Sequence, residues 1–450
     1  MAILIKYALC FLILIFSSQT IRSQNKFSLG AKEQDKIKFE LIHNLIIIPV
    51  EINGVKLSFL LDSGVSKPIL FNITNTDSLQ INDVETIFLR GLGGGESVKA
   101  LKSKNNFFKI GDAVNINQDI FVVFDQSINF TPRLGVPVHG IIGYDVFKDF
   151  IVDINYRRKF IKLHAPETYS YDDCKKCNTF DLTFHNNKPY INGNILINGK
   201  PKKVKLLIDS GSTDGLWLFE NDTIEIISDS TNYFNDFLGR GLSGNVYGKR
   251  SKLDLFRLGD FQLREVNVAF PDSTSISHAR LIEDRNGSVS GEILKRFHII
   301  MDYPNSKISL RKNKNFNDDF RYDRSGIVLE QRGLRIIKEV SSAPTPGDYD
   351  NETRDSFVIN QGTTFNYKLE PAYKIVGLRE NSPAEKCGLL VDDIIVSING
   401  KEAHAYKLQE ILHFFQADYG KTIRLKVERY NQTLKFQFQL ENPFNQKKLP

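Results

Sequence analysis

The chain is poor in the residues that carry most metal, redox and nucleophile chemistry. In 450 residues it has four cysteines, eight histidines, two methionines and one tryptophan. The histidines are scattered and none falls in a His-Glu-x-x-His pattern, which argues against a zinc-dependent hydrolase. No nucleophile and histidine pairing stands out. Cys174 and Cys177 form one Cys-x-x-Cys, and no second pair completes a tetrahedral zinc site. A redox pair, half a zinc site and a structural disulfide stay open; the position between two repeated segments favours a structural disulfide or two idle thiols. Cys387 reads as a small buried side chain. No Gly-Lys-Ser/Thr follows the glycines from Gly91 to Gly95, so a phosphate loop is not expected there. The formal charge of +6 is spread along the chain without a dense basic run, so nucleic acid is not an expected partner. No metal and no cofactor is expected.

Long apolar runs are also scarce. The one near the start, Tyr7 to Phe16, follows the single charge Lys6 and precedes small and polar residues. It is short for a bilayer span, and residues 1–24 read as an export signal cleaved near Ser18 to Gln24. An uncleaved anchor is the alternative. The expected location is outside the cytoplasm, periplasmic or membrane-associated on the outer side in a bacterium.

What is present is a repeat. Phe59-Leu60-Leu61-Asp62-Ser63-Gly64-Val65-Ser66 matches Leu206-Leu207-Ile208-Asp209-Ser210-Gly211-Ser212-Thr213, with the two aspartates 147 positions apart. An Asn-Gly turn precedes each, Asn53-Gly54 and Asn198-Gly199. Glycine-rich turns follow: Arg90-Gly91-Leu92-Gly93-Gly94 and Arg240-Gly241-Leu242-Ser243-Gly244. Phe108 to Asp112 then matches Phe256 to Asp260, and Asp145 to Phe150 matches Glu292 to Phe297. One Asp-Ser-Gly is a weak signal; ordered correspondences at nearly constant spacing predict two lobes of one fold.

From about residue 35 to 312, branched and aromatic residues come in runs of four to eight broken by Asn, Gly, Asp and Pro, which predicts strands. Asp145 to Phe150 and Glu292 to Phe297 read as one or two helical turns. Arg311 to Arg324 reads as a polar linker. Ser341 to Tyr367, rich in Ser, Pro, Gly, Asp and Asn, reads as a long loop, with a processing site or a lid as alternatives. Beyond it, Tyr406 to Phe415 has helical periodicity, while Thr422 to Glu428 and Thr433 to Leu440 alternate like paired strands. The expected division is signal 1–24, lobe one 25–170, lobe two 171–315 and a C-terminal domain 323–442.

Two carboxylates from equivalent lobes suit one chemistry well. Like charges held close cannot both ionise easily, so one stays protonated. The ionised partner can act as base on a shared water while the protonated one polarises a carbonyl. Asp62 and Asp209 are the candidate catalytic pair. Ser63, Gly64, Ser66, Ser210, Gly211 and Ser212 are candidate supports of the loops. Gly91, Gly93 and Gly94 are candidates for a flap closing over a substrate.

Asp62-Ser63-Gly64-Val65-Ser66 and Asp209-Ser210-Gly211-Ser212-Thr213 resemble the active-site loops of aspartic peptidases of the pepsin and retropepsin type. Gly140-Ile141-Ile142-Gly143 resembles the element supporting such a loop; Ser288-Val289-Ser290-Gly291 carries a serine where an apolar residue is usual. Ser382-Pro383-Ala384, Gly388-Leu389, Asp393-Ile394-Ile395 and Ile398-Asn399-Gly400 resemble a PDZ domain of bacterial periplasmic proteases. The resemblance implies an all-β bilobal aspartic-peptidase fold, two retropepsin-like lobes in one chain, plus a small α+β PDZ domain. It implies endopeptidase activity on polypeptides by a monomer, with a peptide or protein C-terminus bound at the PDZ groove near Gly326, Ile327 and Val328. The competing expectation is a silent peptide-binding scaffold.

Overall fold

The computed structural model describes residues 25–445 except 73–78, 126–127, 172–173, 175, 230, 283 and 342–363; the expected export signal lies outside the described residues. Among the described residues, no helix is long and apolar enough to cross a membrane.

The Asn-Gly turns set the first hairpin of each lobe. Asn53 and Gly54 both have positive φ, 47° and 87°, as do Asn198 and Gly199, 50° and 71°. Such turns match the twist of tightly linked strands, and they join Leu45–Ile52 to Val55–Leu61 and Lys188–Ile197 to Lys200–Asp209. Each aspartate follows or ends the second strand of its hairpin. That strand runs parallel to a later one, Gly140–Ile142 in the first lobe and Arg285–Ser290 in the second.

Each lobe is an eight-stranded sheet, and the strand order is the same in both. In the first it runs Glu40–Ile42, Leu45–Ile52, Val55–Leu61, Gly140–Ile142, Ile69–Leu70, Ala113–Val123, Val98–Ile110, Glu85–Leu89. In the second it runs Thr183–His185, Lys188–Ile197, Lys200–Asp209, Arg285–Ser290, Leu216–Leu218, Phe261–Pro271, Gly244–Leu258, Tyr233–Gly241. A six-stranded sheet joins them through an antiparallel pair, Ile151–Asn155 against Phe297–Asp302. Phe59, Phe147 and Ile154 of one half share a continuous buried core with Ile208, Phe297 and Ile299 of the other. The short helices Tyr144–Phe147 and Gly291–Leu294 lie beneath the aspartate loops at matching places.

Arg311 to Arg324 is not a free polar linker. Phe316 and Tyr322 are buried, and the Tyr322 hydroxyl donates to the Ser251 carbonyl at 2.7 Å. The buried Arg296 guanidinium donates to the carbonyls of Phe316 and Asp318. One cation inside the second lobe thus holds a strap whose polar side chains face out.

The C-terminal sheet runs Ile327–Ser341, Thr364–Leu378, Ile394–Ile398, Thr422–Arg429, Gln432–Gln439. Helix Leu408–Phe415 covers it with Leu408, Ile411 and Phe415, a helical spacing that buries one face. The expected long loop differs at its edges: Ser341 and Thr364 to Tyr367 are paired strand residues, and 342–363 lies outside the described residues. Val340 pairs with Phe365 and Lys338 with Tyr367, a cross-strand ladder that extends the hairpin.

This domain packs against both lobes. The Phe444 ring is 5.5 Å from Phe234 and 5.7 Å from Tyr322, and Arg321 pairs with Asp418 at 2.9 Å. The first lobe touches it through helix Thr131–Leu134. There Arg133 pairs with Glu330 at 2.9 Å, and its guanidinium lies 3.9 Å from the Phe237 ring.

Candidate active site

Asp62 and Asp209 face each other where the two lobes meet. A Cβ on Gly64 would sit 3.1 Å from Asp62 Oδ1 and 3.5 Å from Asp209 Oδ1, and one on Gly211 would run into the Asp62 carboxyl. At Gly211 only glycine fits against the Asp62 carboxyl. Each acid is held by its own loop: the Gly64 amide donates to Asp62 Oδ1 at 2.7 Å, and the Gly211 amide to Asp209 Oδ1 at 3.1 Å.

The serines lock the loops across the interface. The Ser63 hydroxyl donates to the Ile208 carbonyl at 2.7 Å and accepts from the Ser210 amide at 3.0 Å. The Ser210 hydroxyl donates to the Leu61 carbonyl at 2.8 Å and accepts from the Ser63 amide at 2.9 Å. Both serines are fully buried, so three polar groups of each lobe's loop (hydroxyl, amide and carbonyl) depend on the other lobe. A serine is needed because the site demands one donor and one acceptor on a short side chain.

Ser66 and Ser212 do not reach the carboxylates. The glycine amides already hold those oxygens, and the two hydroxyls turn elsewhere. Ser66 donates across the interface to the Asn186 carbonyl at 2.7 Å; Ser212 accepts from the Asp214 amide at 3.5 Å. A reciprocal contact runs from the Asn44 side chain to the Thr213 carbonyl at 2.7 Å. The sequence reading missed these asparagines, although both lie in turns just ahead of the strands that carry the repeat.

Burial, then the neighbouring Asp209, raises the pKa of Asp62; the Gly64 amide and Lys188 pull against this. Burial likewise raises Asp209, opposed first by Arg285 and then by the Gly211 amide. The pair titrates as one unit, and the cause favours a single shared proton.

Gly91, Gly93 and Gly94 lie in the turn joining Glu85–Leu89 to Val98–Ile110. This turn is the candidate flap of the sequence reading, and the second lobe has an equivalent hairpin that was not singled out. The hairpin Tyr233–Gly241 with Gly244–Leu258 brings Leu242 and Ser243 against the first turn. The Ser243 amide donates to the Leu92 carbonyl at 3.0 Å, the Gly95 amide to the Ser243 carbonyl at 2.7 Å, and the Gly91 amide to the Ser243 hydroxyl at 3.1 Å. Gly93 and Gly244 share φ of 114°, and side chains on Gly93 or Gly241 would run into the opposite tip. The matched glycines at Gly91–Gly94 and Gly241–Gly244 were the available signal. Beside the tips is a cavity of about 770 Å³, lined in part by Lys99, Phe124, Arg240 and Leu242.

Arg250, from the second flap hairpin, pairs with Asp214 at 2.7 Å and Asp236 at 2.6 Å. Asp214 also accepts from the Trp217 indole at 2.6 Å. The cation thereby ties the flap to the segment after Asp209. Among the described residues, no group of three or more His, Cys, Asp or Glu is placed to hold a metal ion. Cys174 and Cys177 are joined as a disulfide just before Asn178–Asp181, an edge strand of the six-stranded sheet.

In the C-terminal domain, Gly326 lies just before edge strand Ile327–Ser341, which pairs only with Thr364–Leu378. The loop amides are engaged. Ser325 and Gly326 donate to Asp323 Oδ1 at 3.1 and 2.6 Å, and Ile327 donates to the Ser325 hydroxyl at 3.0 Å. Val328 pairs with Gly377. A Cβ on Gly135 would lie 3.0 Å from Leu408 Cβ and 3.5 Å from Gln331 Oε1, so the first lobe abuts the place where this edge strand meets the helix.

The family comparisons address these two regions separately. A family model described as aspartyl protease matches residues 48–146, the first lobe with Asp62 and its flap; a second, described as PDZ domain, matches 374–429. No curated protein matches the chain. The second lobe lies outside both matches, and its likeness to the first rests on the common strand order. The chain contains an aspartyl protease domain and a C-terminal PDZ domain, domains that point to peptide binding.

Proposed function

We propose that the chain is an aspartic endopeptidase that hydrolyses peptide bonds with Asp62 and Asp209. The observation that carries this is the reciprocal Ser63–Ser210 network, which brings two raised-pKa carboxyls to face each other at the lobe interface. One aspartate, ionised, takes a proton from a bound water; the other, protonated, donates to the scissile carbonyl oxygen. The water oxygen bonds to the carbonyl carbon, and collapse of that adduct releases the amine, which takes up a proton. Both acids come from one chain, so a monomer suffices.

The PDZ domain serves recruitment in this reading. An extended peptide or a protein C-terminus adds as a strand along Ile327 to Gln331, beside helix Leu408–Phe415. The first-lobe segment Thr131 to Gly135 must yield for this, and an incoming carboxylate must compete with Asp323. Residues 1–24 act as the export signal, which places the enzyme in the periplasm or on the outer side of a bacterial membrane.

A second reading, a silent peptide-binding scaffold, is favoured by one observation: the tips of the two glycine-rich hairpins are hydrogen-bonded to each other. A diverse peptide library incubated from pH 3 to 8 with the wild type, Asp62→Asn and Asp209→Asn separates the two. Cleavage by the wild type that vanishes in both variants supports the enzyme; binding without cleavage at any pH supports the scaffold.

A further inference from the structure

The two walls of the cleft carry opposite chemistry at matching positions. In the first lobe, Ile47 pairs with Leu60, and Leu60 with Ile141. In the second, Tyr190 pairs with Leu207, and Leu207 with Ser288. Paired residues share a face of a sheet, as do residues two apart along a strand. Leu207 lies two residues before Asp209, and its side chain comes within 3.6 Å of where a Cβ on Gly64 would be, so this face fronts the aspartates. Lys188 lies two residues before Tyr190 and shares that face. Its first-lobe counterpart in the register is Leu45, a buried member of an apolar cluster with Ile47 and Val138.

Arg285 adds a second cation to the second-lobe wall. It donates to the Ser288 hydroxyl at 3.2 Å, and its guanidinium lies 5.2 Å from the Phe219 ring and 5.9 Å from the Tyr190 ring. Two aromatic rings orient the group without neutralising it. Among the described residues, neither Lys188 nor Arg285 has a carboxylate partner within salt-bridge distance, whereas Arg133 has one and Arg250 has two. Both cations are only half-buried. Their electrostatic neighbours include the aspartate pair itself: Asp62 and Asp209 act on Lys188, and Asp209 acts on Arg285.

We infer that Lys188 and Arg285 form a subsite on the second-lobe wall of the cleft that selects substrates with an acidic side chain near the scissile bond. This rests on the endopeptidase reading and deepens it by naming a substrate class. The carboxylate of a substrate Glu or Asp would take two charge-assisted hydrogen bonds there, while apolar side chains pack on the wall of Leu45 and Ile47. A neutral amide of the same shape keeps the packing and loses the charge.

The experiment uses paired peptides differing by Glu against Gln, scanned one position at a time on both sides of the cleaved bond. For the wild type, kcat/KM should favour Glu at one position by roughly tenfold or more, the worth of a hydrogen bond to a charged group. In Lys188→Met and in Arg285→Gln, measured separately, the Glu-to-Gln ratio at that position should fall toward one. Cleavage by the wild type with no acidic preference at any position overturns the subsite and leaves the endopeptidase standing. If the wild type cleaves nothing, the endopeptidase reading fails. The same pairs are then titrated against it by fluorescence anisotropy, and equal Glu and Gln affinities overturn the subsite as well. A ratio that persists in both variants, each shown folded by circular dichroism, also overturns it.

Discussion

The two lobes share their backbone plan and differ in what they hang on it. Strand order, Asn-Gly hairpins, Asp-Ser-Gly loops, flap glycines and the short helix beneath each aspartate are common to both. The shared parts are those for which geometry leaves little freedom, such as positive φ at a tip or a glycine against a carboxyl. Side chains at matching register positions are free to diverge, and they have: buried Leu45 and Ile47 in one lobe, Lys188 and Tyr190 in the other. The second-lobe hairpin also holds its Arg250 ion pairs with little exposure, and the PDZ domain touches both lobes.

The largest expected effect breaks the pair itself. If the lobes contribute equally to the chemistry, Asp62→Asn and Asp209→Asn each lower kcat/KM by about 10²–10⁴-fold, the usual worth of a positioned acid or base. Steady-state kinetics on one peptide decides this. A loss in one variant alone would make the lobes chemically unequal.

The flap hairpins come next, because their cations sit in different surroundings. Arg250 lies between Asp214 and Asp236 with little exposure, whereas Lys102 in the first flap pairs with the half-exposed Glu85 at 3.1 Å. Arg250→Met leaves two carboxylates without their cation and should cost about 3–5 kcal/mol of stability. Lys102→Met should cost no more than about 1 kcal/mol. Urea denaturation of both variants makes the comparison, and equal costs would remove the distinction between the hairpins.

The serine network tests the symmetry most directly. Ser63→Ala and Ser210→Ala each delete two cross-lobe hydrogen bonds and strand a buried amide and carbonyl. Each should lose about 2–4 kcal/mol, summing two such groups, and the two losses should agree closely. The double variant should lose less than the sum, because the bonds are reciprocal and the residues in contact.

Much of this was legible in the sequence, and the exceptions have physical reasons. Asp62 and Asp209 were recognisable from a local pattern, because the turn that aims each carboxyl is built from adjacent residues. That both lobes are built of strands followed from alternating apolar runs, whereas their number and order did not. How Ser66 supports its loop was not legible, because its partner Asn186 belongs to the other lobe. Leu242 and Ser243 were overlooked as a flap although their glycines matched those of the first. Arg311 to Arg324 read as linker because its cohesion comes from Arg296, a buried cation whose carbonyl partners carry no side-chain signature. Lys188 and Arg285 are unremarkable in sequence; only the strand register puts them on one wall.

The smallest expected effect sharpens the contrast at the seam between the second lobe and the PDZ domain. Burial raises the pKa of Asp323 from 3.8 to about 6, opposed by Arg379 and the Gly326 amide and assisted by Asp236. A raised carboxyl pKa means that the folded state holds the proton more tightly than the unfolded chain. The stability it contributes is therefore complete below pH 3.8 and is lost as pH rises through about 6. A shift of this size corresponds to at most about 3 kcal/mol, and partial exposure reduces it. Asp323→Asn keeps an acceptor for the Ser325 and Gly326 amides and removes the titration. Thermal unfolding of wild type and variant from pH 3.5 to 6.5 should show the wild type losing more stability across the window. The difference between the two curves cancels carboxylates elsewhere, including the dyad. Parallel curves would mean that Asp323 ionises in the fold as it does in the unfolded chain. The loop before the edge strand would then hold a carboxylate throughout the window, leaving an incoming peptide terminus to compete with a charged group at every pH.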